Sequence, residues 1–139
     1  MSIIRPFTEA DAESVFALTQ SFATSFLPER HHFDVACAKL SIQEDALLLV
    51  IEEDGRPVGY LLGFDHYTLF ANGRVAWVEE IMVAEKSRGH GYGHQLMAAF
   101  EQWARARGSK LVALATRRAA NFYRAIGYEE SAGYFRKLL

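Results

Sequence analysis

The most restrictive stretch of this sequence is residues 75–107. There a run rich in β-branched and aromatic residues (75–83) leads into Arg88-Gly89-His90-Gly91-Tyr92-Gly93. An amphipathic segment follows, with Tyr92, Leu96, Phe100 and Trp103 recurring at helical spacing. Gly108 stands where a helix cap belongs, and residues 111–115 make a further apolar run. Strand, glycine loop, helix and strand in that order specify a parallel βαβ unit. Three alternating glycines exceed what a turn needs. They let the backbone approach a ligand closely and expose amide N–H groups at a helix N-terminus, where the helix dipole also favours an anion. A phosphate or pyrophosphate is the expected guest. A nucleotide P-loop would need Lys-Ser or Lys-Thr after the last glycine, where this chain has His94-Gln95. A dinucleotide fingerprint spaces its glycines differently and belongs to the first strand of its unit.

Upstream, Ile3-Ile4-Arg5-Pro6 reads as a short strand, and Thr8 with Asp11 approximates a capping box. Val15, Leu18, Phe22 and Phe26 predict one apolar helical stripe ending at Pro28. Phe33, Ala36, Cys37 and Leu40 predict a second helix, with Cys37 as a buried small hydrophobe. Residues 46–51 and 58–64 flank Asp54-Gly55 as a hairpin, and Asn72-Gly73 turns the chain into residues 75–83. After residues 111–115, a short helix over 119–126 is capped by Gly127, and residues 134–138 predict a closing strand. The order β-α-α-β-β-β-α-β-α-β implies an α/β fold of mixed α+β type, with a central mixed antiparallel and parallel sheet flanked by helices.

At 139 residues, half of them hydrophobic, the chain suits a single domain over 1–139 with an ordinary core. A net charge of -2 offers no field for nucleic acid, and no apolar run reaches the ~18 residues of a membrane span. One cysteine excludes an intrachain disulfide, and Arg5 and Pro6 come too early for a signal peptide, so a cytoplasmic location is expected. His90 and His94 lack a third ligand, so no metal is expected. His31 and His32 read as a surface turn or as part of an acceptor pocket, and Arg117, Arg118 and Arg124 as a solvated face or as phosphate partners. Tyr67 and Phe70 are candidate walls for an acceptor.

The segment Val83-Ala84-Glu85-Lys86-Ser87-Arg88-Gly89-His90-Gly91-Tyr92-Gly93 resembles the pyrophosphate-binding motif of the GNAT superfamily of N-acetyltransferases. Ala120-Asn121-Phe122-Tyr123-Arg124-Ala125-Ile126-Gly127-Tyr128 is similar to that family's second signature. The chain departs from the family at Ala84-Glu85, where proline is frequent, and at Thr116, where asparagine is. The resemblance implies a GNAT fold and acetyl-CoA as acetyl donor. By the same resemblance, backbone groups of Met82 and Val83 pair with pantetheine, Arg88, Gly89, His90, Gly91, Tyr92 and Gly93 hold the pyrophosphate, and Asn121 joins the cofactor contacts. Tyr123 takes the role of acid toward the departing thiolate, a phenol staying protonated at neutral pH.

Glu79 and Glu80 lie on the strand ahead of the loop and should point to opposite faces, so one of them can bind an ammonium or take its proton. Glu79 is preferred, with Glu80 or water as the alternative. The expected reaction is direct transfer to a primary amine of a small molecule or peptide. A non-catalytic acyl-CoA-binding regulatory module is the rival class, and a homodimer stays open.

Overall fold

The computed structural model describes residues 1–22 and 25–139, apart from the side chain of Phe22. The chain runs β1 (Ser2–Pro6), a single 3-10 turn (Glu9–Asp11), α1 (Ala12–Phe22), α2 (Arg30–Ser41), β2 (Ala46–Glu53), β3 (Arg56–Tyr67) and β4 (Arg74–Val83). A second 3-10 turn (Glu85–Ser87), α3 (Tyr92–Ala106), β5 (Ser109–Leu114) and α4 (Ala120–Ala125) complete it. The five strands lie in sequence order in one sheet. All neighbours are antiparallel except β4 and β5, which are parallel, as a crossover through α3 requires.

Local chemistry accounts for most of these elements. The Thr8 amide donates to Asp11 Oδ2 at 2.8 Å, closing the box ahead of α1. Arg5 reaches the same carboxylate at 2.8 Å, so its hydrogen bonds hold the Asp11 carboxyl below the usual carboxylate range. Asp54 and Gly55 both take positive φ, the demand of a two-residue hairpin turn. The helices pack on opposite faces of the sheet. Leu96, Met97, Phe100 and Ala104 of α3 bury against Ile51, Leu61, Ala76 and Val78, with Tyr123 of α4 in the same cluster. Val15 and Leu18 of α1 pack on Val50 and Tyr60 on the other side.

Four expectations are corrected. The first helix does not run on to Pro28: α1 is described over Ala12–Phe22, and residues 26–29 belong to no helix, with Phe26 72% exposed. The place of Phe22 in the apolar stripe falls outside the described side chains. Residues 134–138 form no strand: they pair with no neighbour, β5 is joined only to β4, and Phe135 is 95% exposed. Without a partner backbone a short apolar segment has no reason to extend into the sheet. Cys37 is half-buried, because α2 buries none of its residues and turns its apolar stripe toward an open cleft. Finally, Glu79 and Glu80 do not simply alternate. Val78 pairs with Gly63 and Glu80 with Leu62, leaving Glu79 as the extra residue of a bulge that resets which residues face which side.

Candidate active site

The bulge lies where two strands part. β5 pairs with Arg74, Ala76, Trp77 and Val78 of β4 and no further. Residues 79–83 therefore present an unpaired edge of backbone donors and acceptors along a cleft of about 2330 Å³. Small-ligand pockets usually hold ~300–1,000 Å³, so this cleft has room for two ligands side by side.

At the end of β4 the chain enters the glycine loop. Gly91 caps α3 with φ +79 and ψ 13, a left-handed conformation costly for other residues, and Gly89 has φ +84. A Cβ at either position would meet nothing within 4 Å, so the backbone there faces open space at the N-terminus of a 15-residue helix. Gly93 has a different reason. A Cβ there would come within 3.2 Å of the Phe122 ring, so this glycine lets α4 pack against the start of α3. The loop is anchored from behind, where the Tyr92 hydroxyl donates to Glu53 at the end of β2. Arg88 folds back, its Nε donating to the Val83 carbonyl at 3.1 Å and thereby engaging one of the backbone groups expected to meet pantetheine.

Tyr123 reaches the cleft from α4. It is 8% exposed, and burial alone raises its pKa above the usual phenol value, with no hydrogen bond contributing. Glu79 is exposed at the bulge, whereas Glu80 is half-buried and accepts a 2.8 Å hydrogen bond from the Tyr60 hydroxyl. Tyr60 is 2% exposed and its phenol is pushed far up by burial first and then by the Glu80 charge. This pair escaped sequence reading, since residues twenty apart meet only through the β3–β4 register, Tyr60 beside Met82.

The lining of the cleft thus includes Glu79, Glu80, Met82, Val83, Arg88, Gly89, Gly91, Tyr92, Gly93 and Tyr123. Asn121 and His90 are not among its lining: Asn121 is exposed and accepts a hydrogen bond from Arg124 at 3.3 Å, and the His90 ring lies 3.0 Å from the Ser87 carbonyl. Tyr67 and Phe70 sit at the hairpin end of the sheet, where β4 begins, 76% and 96% exposed, with Tyr67 stacked on the Arg74 guanidinium. They cannot wall a site built where β4 ends. Thr116 caps the turn before α4, its Oγ accepting from the Ala119 amide at 3.0 Å. Among the described residues no group of three or more His, Cys, Asp or Glu comes together in a metal-binding arrangement.

Comparison with known proteins agrees with this geometry. A Bacillus subtilis (strain 168) protein described as the uncharacterized N-acetyltransferase YhfO is 27% identical over 94 residues, which is 65% of this chain and 63% of that relative. A crystal structure of a transcriptional regulator from Bacillus halodurans C-125 superposes with a TM-score of 0.90 over the whole of both chains, at 23% identity. The structure of AAC(6')-Iy with the bisubstrate analog CoA-S-monomethyl-acetylneamine matches at 0.81, at 20% identity, over 100% of this chain and 99% of that one. The profile of the acetyltransferase (GNAT) family matches residues 12–128, a span that takes in the glycine loop, the parted strands and Tyr123 together. With both sequence signatures meeting in one cleft and the family's profile covering them, this chain belongs to the GNAT acetyltransferase family.

Proposed function

We propose that the protein is an acetyl-CoA-dependent N-acetyltransferase that passes the acetyl group directly to a primary amine. The observation that carries this reading is the parting of β4 from β5. It leaves the edge of residues 79–83 unpaired, beside an open helix N-terminus, with Tyr123 lining the same cleft. A linear chain of amides fits an unpaired strand edge, and a pyrophosphate fits the exposed amides of the glycine loop. The amine acceptor and coenzyme A named for AAC(6')-Iy support the same pairing of ligands.

In this reading the backbone of 82 and 83 holds the pantetheine arm and the loop from Arg88 to Gly93 holds the diphosphate. Binding fixes the thioester carbon against the acceptor, which removes most of the entropic cost of a two-substrate reaction. The ammonium first passes one proton to Glu80, directly or through water, and on to solvent. The freed nitrogen lone pair attacks that carbon, the C–S bond breaks as the sulfur takes the Tyr123 proton, and the second proton lost by the nitrogen returns through water to the Tyr123 oxygen. Glu80 is the better-placed partner for the ammonium than the Glu79 preferred from sequence, because Tyr60 holds its carboxylate on the inner side of the bulge.

Acetyl-CoA should raise the melting temperature in proportion to its concentration, adding about 2.7 kcal/mol at one hundred times its dissociation constant. Thiol release in the presence of a primary amine should accompany it. A binding-only module would give the shift without turnover, and no shift at millimolar acetyl-CoA would overturn the reading altogether.

A further inference from the structure

The ladder between β3 and β4 decides which way the last backbone groups of β4 point. The Ala84 amide donates to the Val58 carbonyl at 2.8 Å, and antiparallel pairs alternate between bonded and unbonded. Val83, opposite Gly59, therefore turns its amide and carbonyl away from β3. β5 has already left β4 at Val78, so no strand takes them up. An arginine does. Arg88 bends back over the 3-10 turn, its Nε donating to the Val83 carbonyl at 3.1 Å while a terminal nitrogen lies 3.6 Å from the Met82 sulfur. Both acceptors are neutral. Arg88 takes part in none of the ion pairs found among the described residues, so its charge has no counter-charge. It is exposed and lines the same cleft as Gly89 and Gly91, whose backbone faces open space.

We infer that Arg88 changes partners when the acetyl donor binds, leaving the Val83 carbonyl for the diphosphate, and thereby selects a diphosphate-bearing thioester over a bare pantetheine thioester. This rests on the acetyltransferase reading and goes further by assigning the choice of donor to one side chain. The outward side of the Val83 carbonyl is the one a pantetheine amide would use, and Arg88 already holds it. Giving up one exposed hydrogen bond to a neutral carbonyl lowers affinity about two- to tenfold. A diphosphate returns more than that, because the guanidinium then meets full negative charge through two parallel bonds. A donor that ends at pantetheine incurs the loss and receives no return.

The test compares the parent with Arg88→Met, which keeps the apolar stem and removes both the charge and the donors. Dissociation constants are read by calorimetry for acetyl-CoA and by thermal shift for S-acetylpantetheine, so no turnover is needed. Arg88 is exposed and its bonds are local, so Tm without a donor should stay within about 2 °C of the parent. We expect acetyl-CoA to bind at least about tenfold more weakly to the variant and S-acetylpantetheine about two- to tenfold more tightly. S-acetylpantetheine bound no better than by the parent would overturn the exchange and make Arg88 a plain phosphate ligand. Unchanged or tighter acetyl-CoA binding would overturn it as well, leaving a side chain that only obstructs the strand edge. Either result leaves the acetyltransferase reading standing. Failure of the parent to bind acetyl-CoA would overturn both.

Discussion

Replacing Tyr123 by phenylalanine removes one hydroxyl and keeps everything the ring does. The ring stands edge-on to Phe122 at 5.0 Å and to Tyr128 at 5.9 Å between centroids, and both contacts survive the change. Because no hydrogen bond contributes to its raised pKa, the substitution strands no buried partner, a penalty that otherwise costs about 1–3 kcal/mol. Stability should therefore move by no more than about 0.5 kcal/mol, roughly 2 °C in Tm for a chain of this size. The chemical step should respond very differently. A positioned general acid contributes ~10²–10⁴ in rate, equivalent to about 2.7–5.4 kcal/mol of transition-state stabilisation. The assay is kcat at saturating acetyl-CoA and amine, with single-turnover measurements to show that chemistry limits it and calorimetry for acetyl-CoA affinity. Burial holds this phenol above its ordinary pKa of ~10, so the acid form persists through the assay range and kcat of the parent should show no alkaline decline below about pH 10. Near-parental kcat in the variant, with chemistry limiting, would refute the reasoning. A loss of activity that merely tracks a large fall in Tm would assign Tyr123 to packing instead.

Two further perturbations test other parts of the molecule. Gly91→Val forces a β-branched residue into φ +79 at a strain of about 1–2 kcal/mol, but its Cβ meets open space; it should fold and weaken acetyl-CoA binding at least about tenfold, and parental affinity by calorimetry would reduce the loop to a turn. At the far end of the sheet, the fully buried Asp65 carboxylate accepts from Arg74 at 2.8 Å and Arg107 at 3.0 Å. Burial alone would raise its pKa, and the hydrogen bonds from Arg107 and Arg74 outweigh that and lower it. Asp65→Asn should cost about 3 kcal/mol, the low end for a broken buried pair because Arg107 keeps Asp45 as a partner at 2.8 Å. A depressed folded-state pKa gives stability that is present above the unfolded value of ~3.9 and lost as pH falls through the lower folded value. The parent's advantage in denaturant titrations should therefore hold from neutrality to about pH 4 and shrink below it; a constant gap down to pH 2 would contradict the assignment.

Periodicity and turn chemistry are local properties, and they are sufficient for the five strands and four helices found among the described residues. The Asp54-Gly55 turn, the Thr8–Asp11 box and the α3 stripe each carry their conformation in their own residues. The two signatures likewise named the family, because close backbone approach leaves a glycine spacing that can be read without coordinates. What depended on partners was out of reach. A bulge is a property of two strands, so nothing near Glu79 announces that Val78 and Glu80 pair with consecutive residues of β3, or that Glu80 thereby meets the Tyr60 hydroxyl. The stripe of α2 reads as core from its spacing, but how deeply an apolar face is covered is decided by the neighbouring elements: Phe33 packs against the cluster of Val15, Leu18, Val50 and Tyr60, while Cys37 and Leu40 stay half-buried at the cleft. The same physics took away the strand expected over residues 134–138. Extended structure needs a second backbone to satisfy its donors and acceptors, and only the assembled sheet decides whether one is within reach.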